Sequence, residues 1–159
     1  MLRRTERTLD NIPVGSLGMI PLVGCQDMGA KVNDYIIKWR KEDAPEHTQD
    51  IAFSGYTRDT YLIDADVPRF GSGEAKGIIK ESVRGMDMYL LVDVCNYSVR
   101  YSLTGNENYM SPDDHFQNLK RVIAAIGGKA RRINVIMPFL YESRQHKRNG
   151  RESLDCALA

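Results

Sequence analysis

The chain has little of what usually marks out a special class of protein. Its 159 residues hold three cysteines, one tryptophan and four phenylalanines. Cys25, Cys95 and Cys156 are odd in number and far apart. That excludes a disulfide framework and a paired-cysteine metal knuckle, and it predicts reduced thiols packed as small hydrophobes in a cytoplasm. Charge of one sign is scarce as well. The 22 Lys and Arg stand against 21 Asp and Glu, a formal net charge of +1. A nucleic-acid binder working through a broad basic surface would shift that balance, so none is expected. A small, local anion site remains compatible with it. No apolar run approaches the roughly 18 residues needed to span a membrane. The charged start, residues 1–7, is followed by no apolar stretch of the kind a secretory leader needs.

Several chemical motifs are missing too. Neither of the common glycine-rich phosphate loops, GxxxxGK[ST] or GxGxxG, occurs. The three histidines are His47, His115 and His146, and no two of them have the i, i+4 spacing of metal ligands on a helix. There is no GxSxG elbow to expose a serine nucleophile.

What is present alternates between strands and helices. Residues 1–17 are polar and read as an N-terminal arm ahead of a domain over 18–159. The apolar run 19–24 predicts a buried strand, with Pro21 a mark against a central position. A helix follows from an N-cap at Asp27, and Met28, Val32, Tyr35, Ile36 and Trp39 form an apolar stripe expected to face the core. Residues 41–60 read as an irregular excursion. Two short strands around a Gly-rich bend are expected over 61–85. Residues 87–94 are almost continuously apolar, as in a strand covered on both faces of a parallel sheet. Residues 96–109 are polar, with Gly105-Asn106 as turn chemistry. The next helix is strongly signalled. Ser111 stands at the N-cap, Pro112 at the first helical position and two aspartates in the first turn, while Phe116, Leu119, Val122, Ile123 and Ile126 form one face. Gly127-Gly128 ends it. Residues 132–137 predict another buried strand, and a final helix begins near Ser153. Breaking off so early in a helix, the chain reads as truncated at its C-terminus. Alternating elements of this kind predict an α/β sheet layered between helices, with ligands outside the carboxyl ends of the strands.

That rule selects two loops. Between residues 141 and 152, Arg144, Lys147, Arg148 and Arg151 stand against Glu142 and Glu152. Such a cluster at a strand end can hold phosphate, since arginine offers a planar fork of donors. The bend Arg69-Phe70-Gly71-Ser72-Gly73-Glu74 offers a ring that can stack on a base and side chains that can bond an amine or a ribose.

In content and order, the motifs Arg69–Glu74, Ile79–Gly85, Met137-Pro138-Phe139 and Ser143-Arg144-Gln145 resemble the N-terminal half of ribose-phosphate pyrophosphokinases, the phosphoribosyl pyrophosphate synthetases. The resemblance runs over residues 18–159, with insertions near 41–60 and 96–109. It implies an α/β domain of phosphoribosyltransferase type, a parallel sheet in three layers. It also implies an enzyme that moves the β,γ-pyrophosphoryl group of ATP to the C1 hydroxyl of ribose 5-phosphate with Mg²⁺, and assembly as homo-oligomers from dimer to hexamer. Carried over residue by residue, Phe70, Ser72, Gly73 and Glu74 belong to the adenine side of an ATP site, reached from a neighbouring subunit. Arg144, Gln145 and Lys147 belong to the loop that contacts ATP. Two departures from the family pattern stand out: Ser72 replaces an aspartate, and His146-Lys147 replaces Asp-Arg. The family's metal ligands and ribose-phosphate loop lie in parts this chain does not span. The expectation is therefore no catalytic residue and no Mg²⁺ ligand here, and an inactive isolated chain. The alternatives are a non-catalytic partner subunit of a full-length synthetase, or a nucleotide-binding module with other chemistry.

Overall fold

The computed structural model describes residues 13–43 and 58–159. Most of the polar arm, most of the 41–60 excursion and His47 lie outside the described residues. The elements in chain order are β1 (Leu17–Pro21), α1 (Gln26–Asp43), β2 (Ala65–Asp66), β3 (Ile78–Ile79), β4 (Asp87–Leu91), β5 (Arg100–Leu103), β6 (Asn106–Tyr109), α2 (Pro112–Ile126), β7 (Arg132–Ile136) and α3 (Asp155–Leu158).

The three apolar runs form one parallel sheet in the order β1-β4-β7. Parallel neighbours need a long crossover, and α2 supplies it between β4 and β7. On the other edge Met19 pairs with Leu62 in a parallel bridge, with Met19 N–H donating to Tyr61 O at 2.8 Å and Ile63 N–H to Met19 O at 2.9 Å. The expected strand over 61–67 is thus a single bridge followed by the short β2, paired antiparallel with β3.

Alternation along β4 sorts the core into two clusters. Met88, Leu90 and Val92 pack with Ile20 and with Leu119, Val122 and Ile126 of α2. Leu91 packs with Met19 and with Cys25, just ahead of α1. The sheet is therefore layered between the two helices, as expected. α2 has its capping box: the Ser111 hydroxyl accepts from Asp114 N–H at 3.1 Å, and the Asp114 carboxylate accepts from Ser111 N–H at 3.0 Å.

Three expectations fail. First, the α1 stripe does not face the core. Met28, Val32, Tyr35 and Trp39 are exposed, Trp39 by 60%. The buried side runs instead through Cys25, Gly29 and Asn33. A Cβ on Gly29 would lie 2.6 Å from two Pro21 ring atoms, so the small residue permits a helix-to-sheet approach too close for larger side chains. Asn33 Oδ1 accepts from Tyr61 N–H at 2.8 Å and so satisfies a backbone donor at the sheet edge. Second, β7 is an edge strand rather than a buried one, with Val135 and Ile136 exposed by 41% and 45%. Third, the polar stretch 96–109 contains the β5–β6 hairpin, and its turn is Thr104-Gly105, both at positive φ, one residue before the expected place.

At the amino end of the sheet, Asp87 is buried and held by four donors, the longest bond coming from the Tyr89 hydroxyl at 3.5 Å. Arg132 Nε and Nη2 reach its two oxygens at 2.8 and 2.6 Å, and Asn134 Nδ2 reaches Oδ1 at 2.9 Å. The Arg132 hydrogen bonds outweigh burial and, with Asn134, hold the Asp87 carboxyl below its ordinary range. A depressed folded-state value means the unfolded chain takes up the proton first as pH falls. The stabilisation is whole above the ordinary carboxylate value of about 4 and drains away below it. Denaturant titrations should therefore show the stability gap between wild type and Asp87→Asn narrowing as pH is lowered from neutrality into the acid range. A gap independent of pH would show that this pair is not the titrating element.

Candidate functional site

The bend at residues 69–75 is a tight, closed turn. Arg69 and Ala75 pair as an antiparallel bridge, Phe70 N–H donates to Glu74 O at 2.7 Å, and Gly73 N–H donates to Phe70 O at 2.9 Å. Gly73 sits at φ +91°, a conformation side-chain-bearing residues rarely adopt. The Ser72 hydroxyl donates to Glu74 Oε2 at 2.9 Å. Phe70 projects from the turn and is 50% exposed. A core role for this ring is thereby excluded.

Arg69 fastens the bend to the body of the domain. Its guanidinium donates to Gly73 O at 2.9 Å and to Asp114 Oδ1 at 2.8 Å, and it lies 3.9 Å from the centre of the Tyr101 ring. Burial opposes the charge on Asp114. Hydrogen bonds from the Ser111 backbone and hydroxyl and from Arg69 overcome that penalty and keep its carboxyl below the ordinary range.

The loop after β7 is fastened by the neighbouring residue of the same helical turn. The Tyr141 hydroxyl donates to Asp113 Oδ1 at 2.7 Å, and its ring stacks on Phe116 at 4.2 Å and 15°. The hydrogen bond to Asp113, aided by burial, raises the Tyr141 phenol above its ordinary value and keeps it protonated. Beyond it, Glu142 stands at φ 57° and its carbonyl accepts from Gln145 N–H at 3.0 Å. Cys156 N–H donates to Gln145 O at 3.2 Å, tying α3 back to the loop. Arg144, Gln145 and Lys147 are exposed. Among the described residues, Arg144, Lys147, Arg148 and Arg151 form no ion pair.

Consecutive aspartates at the start of α2 thus hold the two loops. Between the loops lies a cleft of about 650 Å³. Ser72, Gly73 and Glu74 line it, while Phe70, Arg144, Gln145 and Lys147 do not. Acidic side chains outnumber basic ones around it, with Glu74, Asp113, Asp114, Glu142 and Asp155 against Arg69, Lys120 and Arg121. The cations Arg144, Lys147 and Arg148, exposed on the loop after β7, do not line this acidic cleft.

The sequence reading missed Tyr101, Tyr141 and the tethering roles of Asp113 and Asp114. It took the two aspartates as helix-start chemistry, which they also are. Nothing in the sequence pairs Tyr101 with Arg69, 32 positions away.

Comparison with known proteins decides the family. Residues 21–159 match the model of the N-terminal domain of ribose phosphate pyrophosphokinase. This chain belongs to that family. It is 32% identical over 100 residues to ribose-phosphate pyrophosphokinase B of Dictyostelium discoideum, a match covering 62% of this chain and 27% of that protein. The crystal structure of phosphoribosylpyrophosphate synthetase from Mycobacterium smegmatis superposes with a TM-score of 0.56 at 21% identity, over 90% of this chain and 37% of that one. The matches thus span 27% and 37% of the length of these relatives. That likeness shows the pyrophosphokinase N-terminal fold, a phosphoribosyltransferase-type sheet.

Proposed function

We propose that this chain is the ATP-binding N-terminal part of an enzyme that transfers pyrophosphate from ATP to ribose 5-phosphate, and that alone it does not turn over. The observation that supports this is the anchoring of both motif loops at the first turn of α2, which leaves Phe70 and the unpaired cations facing solvent. Phe70 stacks on adenine. Ser72 and Glu74 accept from an amine or ribose hydroxyl, and Gly73 permits the turn that presents them. Arg144 supplies a two-donor fork to a phosphate, Gln145 a neutral amide and Lys147 a point charge. The Phe70 bend of one copy serves the Arg144 loop of another, in a homo-oligomer of two to six chains located in the cytoplasm.

Mg²⁺ belongs to this family's chemistry generally. Among the described residues no group of three His, Cys, Asp or Glu side chains could hold a metal ion. Among them, too, no helix is long and apolar enough to cross a membrane.

A coupled assay with ATP, Mg²⁺ and ribose 5-phosphate tests the inactivity. Wild type should match the background of an Arg144→Ala preparation. Turnover above that background would overturn it.

A further inference from the structure

The β5–β6 hairpin lies within the insertion at residues 96–109, between the carboxyl end of β4 and the capped start of α2. It is braced on both sides. At its base Asn96 Nδ2 donates to Gly24 O at 3.3 Å, Asn96 O pairs with His115 Nε2 at 3.0 Å, and Met110 N–H donates to Val99 O at 2.9 Å. Along it, Arg100 holds Glu107 at 3.1 Å and the Tyr109 hydroxyl at 2.7 Å. Tyr101 and Leu103, two residues apart on one strand, share a face. Beneath Tyr101 lies the Arg69 guanidinium, 3.9 Å from the ring centre. Beneath Leu103 lies Gly73, where an added Cβ would be 3.7 Å from a Leu103 methyl.

We propose that this hairpin is a positioning element for the nucleotide site, and that Tyr101 is its positioning residue. It covers the Arg69 guanidinium with its ring while Asp114 and the Gly73 carbonyl hold it in the guanidinium plane, and it thereby fixes the bend that presents Phe70.

The guanidinium has three constraints of different kinds. Asp114 takes one nitrogen and Gly73 O takes another. These bonds fix its reach but leave the plane free to rock. The Tyr101 ring, with the guanidinium carbon 3.9 Å from its centre, restricts that rocking and shields both hydrogen bonds from water. The Arg69 side chain is 11% exposed, consistent with that cover. Because Arg69 bonds the carbonyl of Gly73, four residues on, its orientation sets the closure of the turn itself. The effect on a ligand is preorganisation: a ring already held in place costs less ordering when adenine stacks on it. The link from clamp to affinity rests on the adenine reading of Phe70. The link from Tyr101 to the bend does not.

The test uses the full chain and two readouts. Hydrogen exchange is followed at the Phe70 and Gly73 amides, both bonded inside the turn, and ATP affinity is measured by calorimetry. Tyr101→Ala should speed exchange at both amides by tenfold or more and weaken ATP binding threefold to fivefold, with exchange in α2 and β4 unchanged. Tyr101→Phe keeps the ring and should restore both readouts to wild type. Should the alanine variant fold poorly, Tyr101→Leu keeps apolar cover without the aromatic face, and it should still loosen the bend. Unchanged exchange at Phe70 and Gly73 in a folded Tyr101→Ala or Tyr101→Leu chain would overturn the clamp. Faster exchange with unchanged ATP affinity would overturn its role in positioning the ligand. A wild-type chain that binds no ATP would overturn the nucleotide reading, and the exchange readout would still decide the clamp.

Discussion

Phe70→Ala should weaken ATP binding about tenfold or more while leaving thermal unfolding close to wild type. A base stacked on an aromatic side chain is worth about 1–3 kcal/mol, and a tenfold change in affinity is about 1.4 kcal/mol. The stability half of the expectation follows from exposure. With half its surface in water, Phe70 contributes little apolar burial to the fold. Its place in the turn depends on backbone bonds, Phe70 N–H to Glu74 O and Gly73 N–H to Phe70 O, which alanine keeps. A phenylalanine buried in a core would instead cost about 3–5 kcal/mol on truncation. Calorimetric ATP titration and a thermal melt on one sample separate these cases. A collapsed melting temperature with unchanged affinity would reject the adenine role.

Leu90→Ala should show the opposite pattern, a large loss of stability with ATP affinity of the folded fraction unchanged. Leu90 is fully buried in the central strand, registered between Ile20 of β1 and Val135 of β7. It sits in the cluster with Leu119, Val122 and Ile126, against the crossover helix. Truncation there removes apolar burial and leaves a cavity between sheet and helix, at a cost of about 2–5 kcal/mol. Set against a total of about 5–15 kcal/mol, that is a large share, and it should lower the melting temperature by about 4–20 °C. Ile136→Ala is the control on the same sheet. Its side chain is 45% exposed on the edge strand, so its cost should be about half as large or less. Equal costs at the two positions would contradict the strand order.

The contrast between α1 and α2 shows what was legible in the sequence. α2 announces itself through local chemistry: Ser111 and Asp114 cap it reciprocally, Pro112 suits its first turn, and Leu119, Val122 and Ile126 do face the core. Those signals are local, so a sequence displays them whole. α1 has an apolar period too, yet it turns Met28, Val32, Tyr35 and Trp39 outward. Its orientation is set by Gly29 meeting Pro21 and by Asn33 meeting the Tyr61 amide. Each contact involves a residue that hydrophobic periodicity discounts.

The candidate site divides in the same way. The motif residues Phe70, Ser72, Glu74, Arg144 and Gln145 could be read because their order along the chain resembles that of a family. The framework that holds them could not. Arg69 meets Asp114 across 45 positions, and Tyr141 meets Asp113 across 28. Only the folded chain brings both loops to one helical turn. The β5–β6 hairpin was missed because its strands are largely polar and, of their apolar residues, only Tyr101 and Leu103 are half-buried, too few for an alternating pattern to stand out.

The central claim is that ATP is held by the residues of these two loops. Amide chemical-shift mapping of the isotopically labelled chain during an ATP titration tests it most directly. The account predicts saturable shifts concentrated at Phe70–Glu74 and at Ser143–Lys147, with β1 and the exposed face of α1 unmoved. Shifts centred elsewhere, or none at millimolar ATP, would contradict it.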